Sequence, residues 1–162
     1  MEPVLQFTHF LSLCIWTGSL IFLLWAVLPV LRDVLSDDLA RLVTRHVLRA
    51  YYLLAGTCAV IAVLSLMGLI RGRPVHLAGV RLAILLGMSV LTAVAGWVLQ
   101  PRIEALFQAL RDGGSHERSA SSLAQLTRLD RLALQINSLV LLLGLLTVWL
   151  SIGGPHLPGW PW

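Results

Sequence analysis

Four stretches without a formal charge govern what this chain can fold into. No Asp, Glu, Lys or Arg occurs between Glu2 and Arg32, between Arg49 and Arg71, between Arg81 and Arg102, or after Arg131. Each stretch is long enough for the roughly 20 apolar residues that a helix needs to cross a bilayer. Inside lipid, a backbone must satisfy its own N–H and C=O groups, and a helix does so within one segment. The pattern predicts an all-α integral membrane four-helix bundle in a single domain, with spans over about 5–31, 51–70, 82–100 and 132–152. Composition argues against a soluble alternative. Of the 162 residues, 57% are hydrophobic and 12% are charged, about half the charged share of an ordinary soluble domain.

The segments between the spans carry their own pattern. Leu35, Leu39, Leu42, Val43 and Val47 recur at helical spacing between the first two spans. Ser36, followed by Asp37 and Asp38, reads as a helix start: a capping hydroxyl and first-turn acids. Ile103, Leu106, Phe107 and Leu110 extend the third helix as an amphipathic piece, and Leu123 to Leu132 leads into the fourth. These predict amphipathic cytoplasmic helix extensions. Asp112 to Ser122 is polar and Gly/Ser-rich, a loop composition. Pro29 is expected to kink or end the first helix. The tail, 153–162, has three prolines and is expected to be non-helical. The two long connections hint at two similar hairpins, without a convincing sequence repeat.

All twelve basic residues are arginine, and the net charge is +4. Their position between apolar segments reads as a topology signal, not as a nucleic-acid surface. The first and third connections hold nine arginines, the second holds three, and the termini hold none. The positive-inside rule then places the long connections in the cytoplasm and both termini outside. The expected location is the cell membrane, a bacterial inner membrane, with periplasmic termini. Glu2 stands where a cleavable signal would carry basic residues, so the first helix is expected to be retained.

Few residues inside the spans carry chemistry. His9 shares a helix face with Ser12, Trp16 and Ser19. An ionisable group within the membrane is a functional hypothesis by default. An imidazole there can ligate haem iron, copper or the magnesium of a chlorophyll-type pigment, or it can simply bond a neighbouring helix. His76 and His156 join His9 toward the same side, with Met67 and Met88 nearby, a set suited to copper(I) but without a fixed spacing. Cys14 and Cys58 fall at similar depths and read as small hydrophobes that can approach each other. Gln135, Asn137 and Ser138 read as hydrogen-bonding contacts between helices. Gly56, Gly68, Gly87, Gly96 and Gly144 read as packing residues. Trp149, Trp160 and Trp162 fit an interfacial belt; Trp160 and Trp162 also read as partner-binding anchors. No phosphate loop, dinucleotide fingerprint, catalytic triad or pair of intramembrane carboxylates occurs.

Three stretches carry a family resemblance. HFLSLCIWTGSLIF, with His9, Trp16 and Gly18, and GWVLQPRIEAL, with Pro101 and Arg102, are two of them; LDRLALQINSLVLLLGL, with Asn137, is the third. Together they resemble the four-helix membrane family that includes transmembrane protein 205, whose bacterial members carry a domain of unknown function. Asp130 stands where that family has a His, so no ligand role carries over to it. More distantly, the His-to-Trp-Gly opening is similar to copper-resistance protein D and to the haem-binding four-helix protoporphyrinogen oxidase. This resemblance implies a metal or haem at His9. The chain lacks the second set of intramembrane histidines that a bis-His haem needs.

The leading expectation is a non-enzymatic accessory or assembly subunit, contacting lipids and other membrane protein subunits and not nucleic acid. The competing expectation is a haem-, copper- or tetrapyrrole-binding protein using His9. An enzyme acting on a lipid or tetrapyrrole is implied only by the distant resemblance.

Overall fold

The computed structural model describes residues 2–72, 78–111 and 116–152. Within them the chain forms α1 (Glu2–Phe22), a π-helical turn (Leu23–Val27), α2 (Leu28–Val34), α3 (Asp37–Gly72), α4 (Ala78–Ala93), a second π-helical turn (Val94–Leu99), α5 (Gln100–Arg111) and α6 (His116–Ile152). The described residues contain no strand. These elements join into four long helices. Each is long and apolar enough to cross a membrane, over Pro3–Val34, Leu39–Arg71, Ala78–Ala109 and Ser122–Ser151. This is the architecture of a multi-pass membrane protein.

Proline shapes the first and third long helices in the same way. It has no N–H, and in an α-helix its ring meets the carbonyl four residues earlier. Pro29 follows the Leu23–Val27 π turn, and Pro101 follows the Val94–Leu99 π turn. The wider turn moves the offending carbonyl aside, so the helix bends and continues. The first long helix therefore passes Pro29 and ends at Val34. Each π turn carries a tryptophan four residues before its proline. Trp25 and Trp97 are both 78% exposed.

The break between the first two long helices is short. Leu35 is extended, and the Ser36 carbonyl accepts from Ala40 N–H at 2.8 Å, the first bond of α3. The amphipathic stretch after Ser36 is continuous with the second span in one helix of 36 residues. The loop expected over Asp112 to Ser122 is shorter than its composition implied, because α6 starts at His116. Once a helix has nucleated on a strongly apolar segment, each added residue gains a hydrogen bond. That carries it through weak formers such as Ser119, Ser121 and Ser122. Residues 112–115 and the predicted non-helical tail, 153–162, lie outside the described residues.

The core lies along the line where the helices meet. Leu13, Trp16 and Leu20 of α1 pack with Ala55, Ala62 and Leu66 of α3, Leu85 and Met88 of α4, and Val140 of α6. The small residues of α3 allow α1 to come close, as is common where no water drives helices together. Two glycines are required by neighbours. A Cβ on Gly96 would lie 2.8 Å from Tyr52 Cγ, and one on Gly144 would lie 3.1 Å from Thr17 Oγ1 and 3.2 Å from Met88 Cε. Large apolar side chains such as Phe7, Phe22, Leu53, Leu64, Val90 and Leu142 face outward. A lipid solvent accepts such a surface.

Candidate functional site

Two polar regions lie at opposite ends of the bundle. The terminal end gathers the start of α1, the end of α3, the start of α4 and the end of α6. The arginine end gathers α2, the start of α3, α5 and the early part of α6.

At the terminal end, His9 is 4% exposed. Its Nδ1 lies 3.0 Å from the Ala62 carbonyl oxygen and 3.2 Å from Ser65 Oγ. A carbonyl has no proton to give, so Nδ1 carries the hydrogen and donates it. Nε2 is then left with its lone pair. That atom is buried and has no hydrogen-bond partner among the described residues. Ser12 Oγ donates to the His9 carbonyl at 2.8 Å, and Ser65 Oγ donates to Ile61 O at 2.7 Å. Hydroxyls bonded to their own helix in this way cost little in lipid. Nearby on α4, the Arg81 guanidinium donates to the Leu150 carbonyl near the end of α6. That carbonyl is one of those a helix terminus leaves unmatched.

The other sequence candidates fall in several places. Trp16 is fully buried, and its indole N–H has no partner among the described residues. Gly18 is exposed, with nothing within 4 Å of the point where a methyl group would stand, and the same holds for Gly56. Gly87 is likewise clear of neighbours, whereas Gly68, Gly96 and Gly144 are close-packed. Asn137 is buried and its Nδ2 donates to Tyr52 Oη at 3.4 Å, while Gln135 and Ser138 are exposed. Cys58 faces the core, Cys14 faces outward, and both are free thiols. Met88 is buried against Thr147, and Met67 is exposed. His76, His156, Trp160 and Trp162 lie outside the described residues. Among the described residues, no three His, Cys, Asp or Glu side chains form a group able to hold a metal.

The arginine end holds a feature that sequence reasoning missed. A cavity of about 400 Å³ opens between all four long helices. Arg32 of α2, Arg41 and Arg45 of α3, Phe107 of α5, and Asp130 and Asn137 of α6 line it. The guanidinium carbon of Arg45 lies 4.2 Å from the Phe107 ring centroid, and that of Arg41 lies 5.7 Å from it. Both fall within cation–π range. Asp130 is the one carboxylate among the lining residues. A local signal existed, because Arg41 and Arg45 stand four apart on one helix face. Arg32 and Phe107 join them only through the tertiary fold.

The fold and these two ends define an all-helical, four-span membrane protein. Residues 11–111, more than half of the chain, match the family model described as domain of unknown function DUF4149, and the chain belongs to that family. The matched segment holds the three cavity arginines and Phe107; His9 and α6 fall outside it. No curated protein matches the chain, and no solved structure does.

Proposed function

We propose that this protein is a non-enzymatic membrane subunit that works by lateral association, as an accessory or assembly component of a larger membrane complex. One observation carries this reading: Gly18 and Gly56 lie on the outward faces of neighbouring, strongly packed helices, with open space where a side chain would stand. Small residues on a lipid-facing surface let another helix come close, and that is how membrane helices gain contact energy. Exposed Trp25 and Trp97, together with Trp160 and Trp162 of the tail, supply aromatic anchors of the kind enriched at binding hot spots.

The topology that goes with this reading follows from arginine counting. The arginine end is cytoplasmic, and both termini lie outside the cell membrane. A helix of 36 residues spans about 54 Å, against about 30 Å of hydrocarbon. The surplus of α3 and α6 forms the amphipathic extensions on the cytoplasmic side. The test is cross-linking in native membranes, followed by purification in mild detergent. A stoichiometric membrane partner that disappears in Gly18→Leu and Gly56→Leu supports the reading. A lone, monodisperse protein after cross-linking defeats it.

A second reading rests on His9. Its Nε2 lone pair is buried and unmatched among the described residues, and its Nδ1 is fixed by a backbone carbonyl, the arrangement that orients ligating histidines. His9 would supply one imidazole nitrogen to haem iron, copper or a chlorophyll-type magnesium. An absorbance spectrum and metal analysis of the purified protein decide it. A Soret or pigment band, or stoichiometric copper, lost in His9→Ala supports ligation; a featureless spectrum and no copper remove it.

A further inference from the structure

We propose that the arginine-lined cavity is a binding site for a phosphate-bearing anion. The proposal is separate from the association reading and from His9. It stands on charge, restraint, size and setting. The cavity has three guanidiniums and one carboxylate among its lining side chains, Arg32, Arg41 and Arg45 against Asp130, an excess of two positive charges. Arginines serving only as topology signals have no reason to converge, since spreading into water lowers their mutual repulsion. Here, residues from the first two long helices meet around one concave space.

The cations are also held in place. Phe107 lies beneath both Arg41 and Arg45, which restrains two flexible side chains before any ligand arrives. Arginine, with its planar fork of donors, matches phosphate oxygens two at a time, which lysine's single ammonium does not. Neutral donors complete the wall, with the Gln100 and Asn137 amides beside the arginines.

Size and setting narrow the ligand class. A cavity of about 400 Å³ is within the range of small-molecule sites and holds more than one phosphate group. Its wall changes character, with Leu28, Leu48 and Leu134 lining it as well. Basic pockets between membrane helices near the bilayer surface are suited to anionic lipid headgroups. A soluble phosphate compound offers the same recognised group. A second cleft of about 430 Å³ shares Arg45 and Gln100 and adds Arg49 together with Glu104, so a ligand larger than one headgroup has room to extend, with no further net positive charge there.

The experiment uses the full chain purified in neutral detergent. Binding is read by native mass spectrometry and by the shift in thermal unfolding. The two probes are phosphatidylglycerol, with phosphatidylcholine as its neutral counterpart, and inorganic phosphate. Binding of phosphatidylglycerol alone assigns a lipid headgroup; binding of inorganic phosphate, with or without the lipid, assigns a site open to soluble phosphate. The double variant Arg41→Gln/Arg45→Gln is expected to weaken the bound probe by about tenfold or more, as expected for losing charge-assisted hydrogen bonds. Arg102→Gln/Arg128→Gln removes the same charge from the same end but outside the cavity and is expected to leave binding within about twofold, given the weakness of exposed charges. If the cavity variant does not fold, Arg41→Lys/Arg45→Lys keeps the charge and is expected to lose affinity with its paired donors. The idea is overturned if neither probe binds, or if the two glutamine variants weaken binding equally.

Discussion

At the terminal end, the His9 imidazole is enclosed between α1 and α3, its Nδ1 bonded to the Ala62 carbonyl, and Arg81 bonds the end of α6. At the arginine end, three guanidiniums border an open cavity. Both ends hold cationic or ionisable groups, yet one directs them at the protein backbone and the other gathers them around a cavity, two against the Phe107 ring. The difference teaches where function is to be sought. A polar group already matched by the fold is explained by the fold. A convergent set bordering a cavity, or a single buried atom such as His9 Nε2 without a partner among the described residues, is not.

The contrast can be broken by substitution, and the largest effect is expected where the two hairpins touch near the arginine end. Gly96→Leu places atoms where Tyr52 already stands, with even a Cβ 2.8 Å from its ring. Overpacking of this kind costs about 1–3 kcal/mol. Unfolding by denaturing detergent should show the loss, along with displacement of the Tyr52 and Asn137 contact beside the cavity. A stability equal to the parent's would mean that this wall of the site is soft.

Next in size is His9→Leu. The hydrogen bond to Ala62 is lost and that carbonyl keeps its helical partner and the Ser65 hydroxyl at 3.1 Å, a cost of about 1 kcal/mol. Unfolding free energies measured with and without Ser65→Ala separate the two bonds, since their interaction is expected to be about 0.6 kcal/mol, the average for such pairs in a membrane protein. A His9→Leu variant more stable than the parent would show that the buried Nε2 outweighs the Nδ1 bond. Smallest is Gly56→Leu. Open space surrounds the position, so the lone protein should change by less than about 0.5 kcal/mol. A large loss would reveal packing at that face within the single chain.

The four long helices were legible because the absence of charge is a long-range signal that needs no tertiary information. His9 was legible for the same reason, as an exception inside such a stretch. Its partners were not, because Ala62 and Ser65 are more than fifty residues away and nothing local marks their depth. Glycine spacing was a weak guide. Gly96 and Gly144 meet neighbours, while Gly56 and Gly87 do not, and only the rotation of each helix decides which. The arginines stand out in the sequence as an asymmetry between connections, but counting them hides where they point. Convergence of Arg32 with Arg41 and Arg45 depends on how the ends of two helices are turned.

That turning traces to the paired π segments. Each inserts a residue into the helical repeat, so everything beyond it is rotated by about 100° from the phase set upstream. In the first long helix the buried series Leu13, Trp16, Leu20, Leu23 would continue through Val27 and Leu31. Val27 and Leu28 both pack against that core, and Leu28 and Arg32 line the cavity. In the third, Leu85, Met88, Thr92 and Ala95 are buried; Ile103 keeps that phase, about five turns from Leu85, while Gln100 and Phe107 meet the cavity one position later than the series Leu99 and Leu106. The two Trp-x-x-x-Pro sequences thus act as phase shifters, allowing one helix to show an apolar stripe to its neighbours within the membrane and a different, polar stripe to the same neighbours beyond it.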